Sequence, residues 1–353
     1  MGRIQFVGDL IFGDQPVIFG CGFDGKWNKN NYSEIFAGVK NEFNSSDINV
    51  ANLETVIMKR PQKPNVNNYA MCCDERIIPV LKANKIGIVS IANNHSLDYG
   101  VEEYNNMINM LEKAGITVIG KKDKPWTVVE TEGKKIAIIA ATYLPVYKVK
   151  EVPYLFKPKK EDWKRILKEI GDVDKTIAYI HWGSEFVTAP TDKQKEIRTE
   201  ILNAGVDDII GHHPHILQKN EKIENHNIIY SLGNFMSDYW QKRLRKTQIL
   251  VLDTNSFDYS IIPCEISKKC IPHTIGKRQK IEYTKEKDWK QNSLFFSRMR
   301  MRFEYLFHIF KCFPKMKGKR EFMSWLWKRV KYVLTNMRNE VKDPEIIYKK
   351  YER

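Results

Sequence analysis

The sequence predicts a layered α/β protein that is followed by a basic helical extension. Over the first 240 residues, short apolar runs alternate with amphipathic segments, which is the pattern of strands and helices packed in layers. The hydrophobic content of 42% in 353 residues is enough for a substantial buried core. After about residue 285 the alternation ends, and aromatic and basic residues mix at roughly helical spacing.

The apolar runs predict eight strands in the first 240 residues. They are 3–8, 48–54, 86–92, 116–120, 135–142, 175–180, 206–210 and 227–235. The segments between them predict four helices: one that Asp74 caps and that runs to about Asn84, one over 101–111 with Gly115 after it, 161–171, and 192–205.

Six of the predicted strands run directly into polar residues that bind metals or carry protons. These residues are Asp9, Glu54, Asn94 with His95, His181, His213 with His215, and Asn234. Ligands of open α/β sheets bind beyond the carboxyl ends of the strands, where loops converge over a rigid sheet. Any one residue alone is better explained by a turn or capping role, but six strand ends of this kind predict one shared site.

The donor types favour a transition-metal site. Carboxylates, a carboxamide oxygen and several imidazoles suit Mn, Fe or Zn rather than Ca or Cu. Five or six ligands exceed what one tetrahedral zinc uses, so we expect two divalent ions that share a bridging carboxylate, with a single ion as the alternative.

The segment GHHPH at 211–215 holds three of the eight histidines. In an extended segment, residues two apart face the same side, so His213 and His215 are predicted to reach one centre while His212 points away. Pro214 disfavours helical geometry at His213 and supports this interpretation. The remaining histidines, His226, His273 and His308, have no such setting and are predicted to be structural.

Several other functions are not supported by the motifs of the chain. It has no GxSxG serine elbow, no GxxxxGK[ST] phosphate loop and no GxGxxG after a strand. The six cysteines show no CxxC pairing, which favours a reducing compartment. The amino end has no signal-peptide core or membrane span, and the prediction is a cytoplasmic protein that is peripheral, at most, at the inner face of the membrane.

The net charge of +15 is concentrated in the extension, since residues 286–353 hold 18 Lys and Arg against 8 Asp and Glu and so carry +10. Basic amphipathic segments such as 293–313 and 320–337 either pack on the neighbouring domain or lie on an anionic membrane surface. Packing on the body is favoured. A partner protein is an alternative, and nucleic acid ranks last because no nucleic-acid-binding module is recognisable.

Six motifs in order resemble those of the CapA-type capsule-synthesis family. This family is named for bacterial poly-γ-glutamate capsule production and belongs to the calcineurin-like metallophosphoesterase superfamily. The motifs are VGDL (7–10), ANLET (51–55), ANNHSLDYG (92–100), HWGSEF (181–186), GHHPH (211–215) and YSLGNF (230–235). The resemblance implies a four-layer α/β/β/α sandwich of two mixed sheets. It also implies three parts: a phosphoesterase-like domain over 1–265, a connecting segment over 266–285 and the helical extension over 286–353.

The resemblance also implies a role for each site residue. Asp9, Glu54 and His215 would hold one ion, and Glu54, Asn94, His181 and His213 the other. His95 would be the catalytic general acid, while Asn93, Asp98, Glu185 and Asn234 are candidates to support these groups. The chain departs from the phosphoesterase pattern at Ile11, where a histidine is usual, and at Glu54, where aspartate is commoner.

The resulting functional hypothesis is a metal-dependent hydrolase of phosphoesterase type that acts on an anionic polymer or phosphoester in capsule or exopolymer biosynthesis. One alternative is a non-catalytic assembly or export component, which the departure at Ile11 and the basic extension favour. The other is a metal-dependent amide hydrolase acting on poly-γ-glutamate, since the same ions also polarise a carbonyl.

Overall fold

Two β-sheets and the helices around them form the body of the protein. The computed structural model describes residues 2–15, 19–27, 32–59, 70–145 and 152–285, and within the extension residues 300, 303–304, 307–308, 310–316, 319–320, 323–324 and 326–327. The strands are β1 (Arg3–Leu10), β2 (Ile48–Leu53), β3 (Val56–Met58), β4 (Cys72–Asp74), β5 (Ile86–Ser90), β6 (Thr117–Ile119), β7 (Trp126–Thr131), β8 (Lys134–Thr142), β9 (Lys175–His181), β10 (Asp208–His212), β11 (Asn220–Ile223), β12 (His226–Ile229), β13 (Asn234–Met236), β14 (Lys246–Asp253), β15 (Tyr259–Ile266), β16 (Pro272–Thr274) and β17 (Gln279–Lys280). The helices are α1 (Phe23–Lys26), α2 (Lys40–Asn44), α3 (Ile77–Ala83), α4 (Gly100–Lys113), α5 (Lys160–Ile170) and α6 (Asp192–Ala204).

In the described part of the chain, the larger sheet has the order β16-β15-β14-β1-β2-β5-β6, with β13 also paired to β1 and β17 to β15. The smaller sheet has the order β11-β12-β10-β9-β8-β7. Both sheets are mixed. The strands β1, β2, β5 and β6 are parallel neighbours in one sheet, and β8, β9, β10 and β12 are parallel neighbours in the other.

Alternating residues of each strand show how the layers stack. The ring of Phe6 on β1 lies 6.1 Å from that of Tyr179 on β9, so these side chains meet between the two sheets. The next residue on β9, Ile180, lies on the other face and packs with Trp163 of α5 and Ile197 of α6. Period-two alternation of strands thus gives each sheet one face toward the other sheet and one toward helices.

The helices α2 and α3 pack on the outer face of the larger sheet. Gln5, which follows Ile4 on the opposite face of β1, donates from Nε2 to the backbone oxygen of Glu42 in α2. Asn49 on β2 likewise donates to the backbone oxygens of Phe43 and Asn84 at the ends of α2 and α3. The order of layers is helix, sheet, sheet, helix, which confirms the predicted four-layer fold.

Two predicted elements were wrong in detail. The helix expected from Asp74 begins only at Ile77, because Asp74 belongs to β4 and accepts hydrogen bonds from Arg76 instead. The strand expected over 227–235 is two strands in different sheets, β12 and β13, and the chain crosses between them at Gly233, whose φ of 69° is favourable for glycine.

The predicted division at residues 265 and 285 stays a prediction. Within the segment expected to be a connector, β16 and β17 both pair with β15 and extend the larger sheet. The described residues of the extension that are helical include 303–304, 307–308 and 310–312. Across the described ranges, no helix has the length and apolar character needed to cross a bilayer.

Gly211 is one of the glycines at which close packing leaves no room for a side chain. A Cβ there would lie 2.1 Å from the backbone oxygen of Tyr230 and 2.3 Å from Nε1 of Trp182, which itself donates to that oxygen over 3.0 Å.

We expect Gly211→Ala to lower the free energy of unfolding by roughly 2–4 kcal/mol, since the backbone must shift and this hydrogen bond is strained. Urea unfolding measures the change. Gly276→Ala is the matched control, because a Cβ there has no neighbour closer than 3.5 Å. An equal loss in both variants would contradict the packing explanation.

Candidate metal centre

Asp9 reaches the site because of an irregularity in β1. Phe6 pairs with Val50 and Asp9 pairs with Asn52, so three steps on β1 match two steps on β2. This extra residue turns Asp9 to the same face as Phe6, between the sheets, where strict alternation would have turned it outward. Asp9 is fully buried, and its Oδ1 accepts a hydrogen bond from Nδ2 of Asn52 at 2.8 Å.

Glu54 follows the last residue of β2 and is also completely buried. Neither of its carboxylate oxygens has a hydrogen-bond donor among the described residues. Two imidazole nitrogens lie close to its Oε1, His181 Nε2 at 3.3 Å and His215 Nε2 at 3.9 Å. A buried carboxylate without donors is costly unless a cation or a proton compensates it.

His181 ends β9 and joins the two sheets at the site. Its Nε2 lies 2.8 Å from Oδ1 of Asn94, which follows β5 in the other sheet. Its Nδ1 lies 3.2 Å from Nδ2 of Asn52. The structure therefore brings Asp9, Glu54, Asn94 and His181 together from strands of both sheets.

His213 and His215 lie in a bend that follows β10 rather than in an extended segment. His213 and His215 have φ values of 94° and 56°, so the predicted extended geometry was wrong. Their rings nevertheless meet, with centroids 5.6 Å apart, and the His213 ring is 5.0 Å from that of His181. His215 Nδ1 lies 2.9 Å from Oδ1 of Asn234 and 3.4 Å from Oδ2 of Asp9.

The prediction that His212 points away was also wrong. His212 is the last residue of β10 and pairs in register with His181, so both face the space between the sheets. Its Nδ1 lies 3.1 Å from Oδ1 of Asp9, and its ring lies 4.2 Å from that of Tyr179. His212 can therefore donate a hydrogen bond from Nδ1 to the Asp9 carboxylate, and its Nε2 has no hydrogen-bond partner among the described residues.

His95 lies next to Asn94 and contacts a different partner. Its Nδ1 lies 2.9 Å from Oδ2 of Asp98, and its backbone N–H donates to Oδ1 of Asn93. Asp98 is held in turn by the backbone N–H of Met71 at 3.0 Å. Burial lowers the pKa of His95, but the Asp98 carboxylate outweighs it and raises the pKa to about 9.

The pKa shifts of the other groups divide them into two kinds. Burial raises the pKa of Glu54 to about 7 and holds the pKa values of His181 and His213 well below the ordinary imidazole value. Burial opposes the charged forms of Asp9 and His215 as well. Hydrogen bonds from His212 and His215 nevertheless hold the pKa of Asp9 well below its usual range, and the Glu54 and Asp9 charges raise the pKa of His215 to about 10.

These groups fit a divalent cation. Two donor sets of three residues could each hold an ion, because within each set the donor atoms lie within 4.8 Å of one another. The sets are Glu54 with His213 and His215, and Asp9 with Glu54 and His181. Both ring nitrogens of His213 and both oxygens of Glu54 lack hydrogen-bond partners among the described residues, so buried lone pairs are available. Neutral imidazole is the form that binds metals, and His181 and His213 are held in that form. Glu54 is common to both sets, whereas the histidines divide differently from the expected division, which stays a prediction.

Of the four supporting residues expected from the sequence, three have hydrogen-bond contacts at the site, and the contact of Asp98 with His95 is the first of these. Asn93 donates from Nδ2 to the backbone oxygen of Leu53 at 2.8 Å, and Asn234 contacts His215. The charge of Glu185 is among the groups that raise the pKa of His215. The histidines predicted to be structural contact other groups: His226 the backbone oxygen of Asp207, and His308 the ring of Trp240.

Asn52 is a site residue that sequence reasoning missed. It links Asp9, Asn93 and His181 by contacts of 2.8, 3.2 and 3.2 Å and is 1% exposed. The available signal was the second of two carboxamides in the largely apolar strand β2, two residues before Glu54. The aromatic neighbours of His215, which are Phe186 and Tyr239 with centroids at 6.0 and 5.5 Å, had no comparable signal.

Comparison with known proteins matches this chain to a family and to relatives that are described as capsule or PGA biosynthesis proteins. A family profile described as bacterial capsule synthesis protein PGA_cap matches residues 3–239. The chain is 27% identical over 259 residues to the PGA biosynthesis protein CapA of Bacillus subtilis, covering 70% of this chain and 66% of that protein. It is 26% identical over 257 residues to the capsule biosynthesis protein CapA of Bacillus anthracis, covering 66% and 62%. The matched region thus spans less than two thirds of the length of both relatives.

Among solved structures, the NAD nucleotidase of Haemophilus influenzae aligns with 94% of this chain and 66% of its own chain. The TM-score is 0.43 and the sequence identity is 13%.

Proposed function

Since this chain belongs to the PGA_cap family of bacterial capsule synthesis proteins, we propose that it is a metal-dependent hydrolase of phosphoesterase type that acts in capsule or exopolymer biosynthesis. The observation that carries the proposal is the buried Glu54 carboxylate, whose two oxygens lack donors among the described residues while three histidines surround it. A site that only stabilised the fold would satisfy these atoms with hydrogen bonds.

The proposed ligands of two divalent ions are Asp9, Glu54, Asn94, His181, His213 and His215. Mn, Fe and Zn all accept this mixture of carboxylate, carboxamide and imidazole donors. The chemistry that such ions supply when bound is Lewis acidity, which activates water and neutralises charge on the group under attack. Glu54 would be shared by the two ions, and Ile11, which is 2% exposed, supplies no donor where related phosphoesterases use histidine.

His95 is proposed as the general acid. The contact of its Nδ1 with Asp98 fixes the ring and leaves Nε2 to hold a proton at the site. A proton held there can pass to the oxygen or nitrogen of the leaving group. Asp98 orients the ring and favours its cationic form, and the backbone N–H of Met71 orients Asp98.

The proposed substrate is an anionic polymer or a phosphoester. The names of the Bacillus relatives associate those proteins with PGA or capsule biosynthesis, and a poly-γ-glutamate amide bond is the second candidate for this chain because the same donor set can activate water toward a carbonyl. Assays on a phosphodiester and on poly-γ-glutamate, run on the same metal-loaded sample, separate the two.

The test of the metal centre is elemental analysis of the purified protein beside His213→Ala. We expect about two equivalents of transition metal in the wild type and at least one equivalent less in the variant, together with loss of hydrolysis. His226→Ala is the matched control, because His226 contacts a backbone oxygen away from the donor sets. Less than one equivalent in the wild type, unchanged by His213→Ala, would favour the non-catalytic assembly component instead.

A further inference from the structure

Exposed apolar side chains are concentrated in the extension. Among the described residues, seven large apolar side chains are exposed, and five of them lie between 303 and 327: Phe303, Phe307, Phe310, Met323 and Trp327. The three phenylalanines expose 67%, 77% and 69% of their surface. A cluster of exposed aromatic side chains marks an interaction surface more often than the rest of a protein's surface does.

The same segment is attached to the body through another of its faces. The ring of His308 stacks on Trp240 with a centroid distance of 3.9 Å and an interplanar angle of 7°. Glu304 pairs with Arg243 at 2.9 Å, and the Cys21 thiol lies 3.6 Å from the backbone oxygen of Cys312. Packing on the body, which the sequence favours, is therefore satisfied by residues 304, 308 and 312 without covering the phenylalanines.

The helical spacing explains this separation. Residues 303, 307 and 310 are four and three positions apart, so their side chains share one face, which we call the phenylalanine face. Residues 304, 308 and 312 follow one another at four-residue spacing on a neighbouring face. Lys311 is exposed beside the phenylalanine face, as is Arg300, which pairs with Glu304 at 2.8 Å, and Lys319 and Arg320 are exposed further along the chain.

We propose that the phenylalanine face docks on an anionic lipid surface. Aromatic side chains insert at the boundary between headgroups and acyl chains, and flanking Lys and Arg are attracted to anionic headgroups. The extension as a whole carries +10, which complements such a surface. A hydrated anionic polymer would attract the charge but would give three phenylalanines nowhere to be buried. A lipid surface both attracts the basic residues and buries the phenylalanine side chains.

The residues that attach the extension to the body follow closely in the chain after a neighbour of the candidate metal centre. Trp240 and Arg243, which hold the extension, follow Tyr239, whose ring is 5.5 Å from that of His215. The inference does not depend on the proposed hydrolase activity, since binding to lipid is measured without a substrate.

The experiment is co-sedimentation of the full chain with two kinds of vesicle, phosphatidylcholine alone and phosphatidylcholine with about 30% phosphatidylglycerol. We expect binding to the anionic vesicles to be at least about tenfold tighter and to weaken at high salt. The triple variant Phe303→Ser, Phe307→Ser, Phe310→Ser should lose about tenfold or more of this affinity. A double variant at exposed apolar positions of the body, Val101→Ser with Ile275→Ser, is the matched control and should bind like the wild type.

A charge variant, Lys311→Gln with Arg320→Gln, separates insertion from simple attraction, because both residues are exposed and leave the Glu304 pairs intact. Losses in both the charge variant and the phenylalanine variant support the proposal. Loss in the charge variant alone would overturn it, because the phenylalanines would then not be inserted. Equal binding to both kinds of vesicle by every variant would also overturn it, as would binding to soluble poly-glutamate without any binding to vesicles. Circular dichroism of each variant verifies that the fold is kept.

Discussion

Replacing Glu54 with glutamine is expected to remove bound metal and hydrolytic activity together, while the metal-free protein stays at least as stable as the wild type. Glutamine keeps the size of the side chain but removes the charge that both donor sets share. We expect activity to fall by at least about a hundredfold, since loss of even a supporting group of a metal site costs about 10–100-fold. Elemental analysis and a hydrolysis assay on the same samples measure both effects.

The stability of the metal-free variant follows from the environment of Glu54. Burial raises the pKa of Glu54 from 4.5 to about 7, so folding favours its protonated form. In the metal-free wild type, stability therefore falls as pH rises from about 4.5 to about 7, because the unfolded chain loses this proton first. Glu54→Gln removes that penalty, and urea unfolding in a chelator at pH 5 and pH 8 should show a smaller decrease for the variant than for the wild type.

Glu221→Gln is the control for this prediction. Glu221 is also a buried glutamate, but it accepts hydrogen bonds from Arg198 at 2.6 Å and from the Tyr230 hydroxyl at 2.8 Å. Its replacement should destabilise the protein and leave metal binding unchanged, the opposite pattern to that of Glu54. Retention of the full metal content by Glu54→Gln would contradict the assignment of Glu54 as the shared ligand.

Replacing His95 with asparagine should separate proton donation from metal binding. His95 contacts Asp98 through Nδ1, and the asparagine amide can keep that contact while removing Nε2. We expect metal content to stay at the wild-type level while kcat falls by about 10²–10⁴-fold. The loss should be large for a substrate with a poorly acidic leaving group and small for one with a nitrophenyl leaving group, which departs without a proton.

His273→Asn is the control, because His273 lies on β16, at an edge of the larger sheet. It should leave both substrates unaffected. An equal loss on both substrates in His95→Asn would show that His95 does not act as the acid, and a loss of metal would show that it supports the ligands instead.

The strands and the residues that follow them were predictable because each depends on local sequence. Alternating apolar runs defined β1, β2, β5, β8, β9 and β10 to within a few residues, and Glu54, Asn94 and His181 follow from where those runs end. The strands β14 to β17 were not predicted as elements, although they complete one side of the larger sheet.

The position of Asp9 was predictable only in part. Its place at the end of β1 follows from the sequence, but its orientation depends on the extra residue between Phe6 and Asp9 relative to β2. Such an irregularity is a property of the pairing of two strands, so one strand's sequence does not reveal it.

His212 and Asn52 illustrate the same limit from the other direction. Alternation along a strand is local. Which face of a strand points to the other sheet depends on how the two sheets pack together, and this packing brings together residues that are more than a hundred positions apart in the sequence. His212 meets Asp9 across 203 positions, and Asn52 meets His181 across 129.

The sequence by itself determined the fold class, the order of the strands and the donor residues at their ends, because periodicity and residue type are local. Only the tertiary structure decided which donors share Glu54, which histidine supports Asp9 and which face of the extension stays exposed, because these depend on long-range packing.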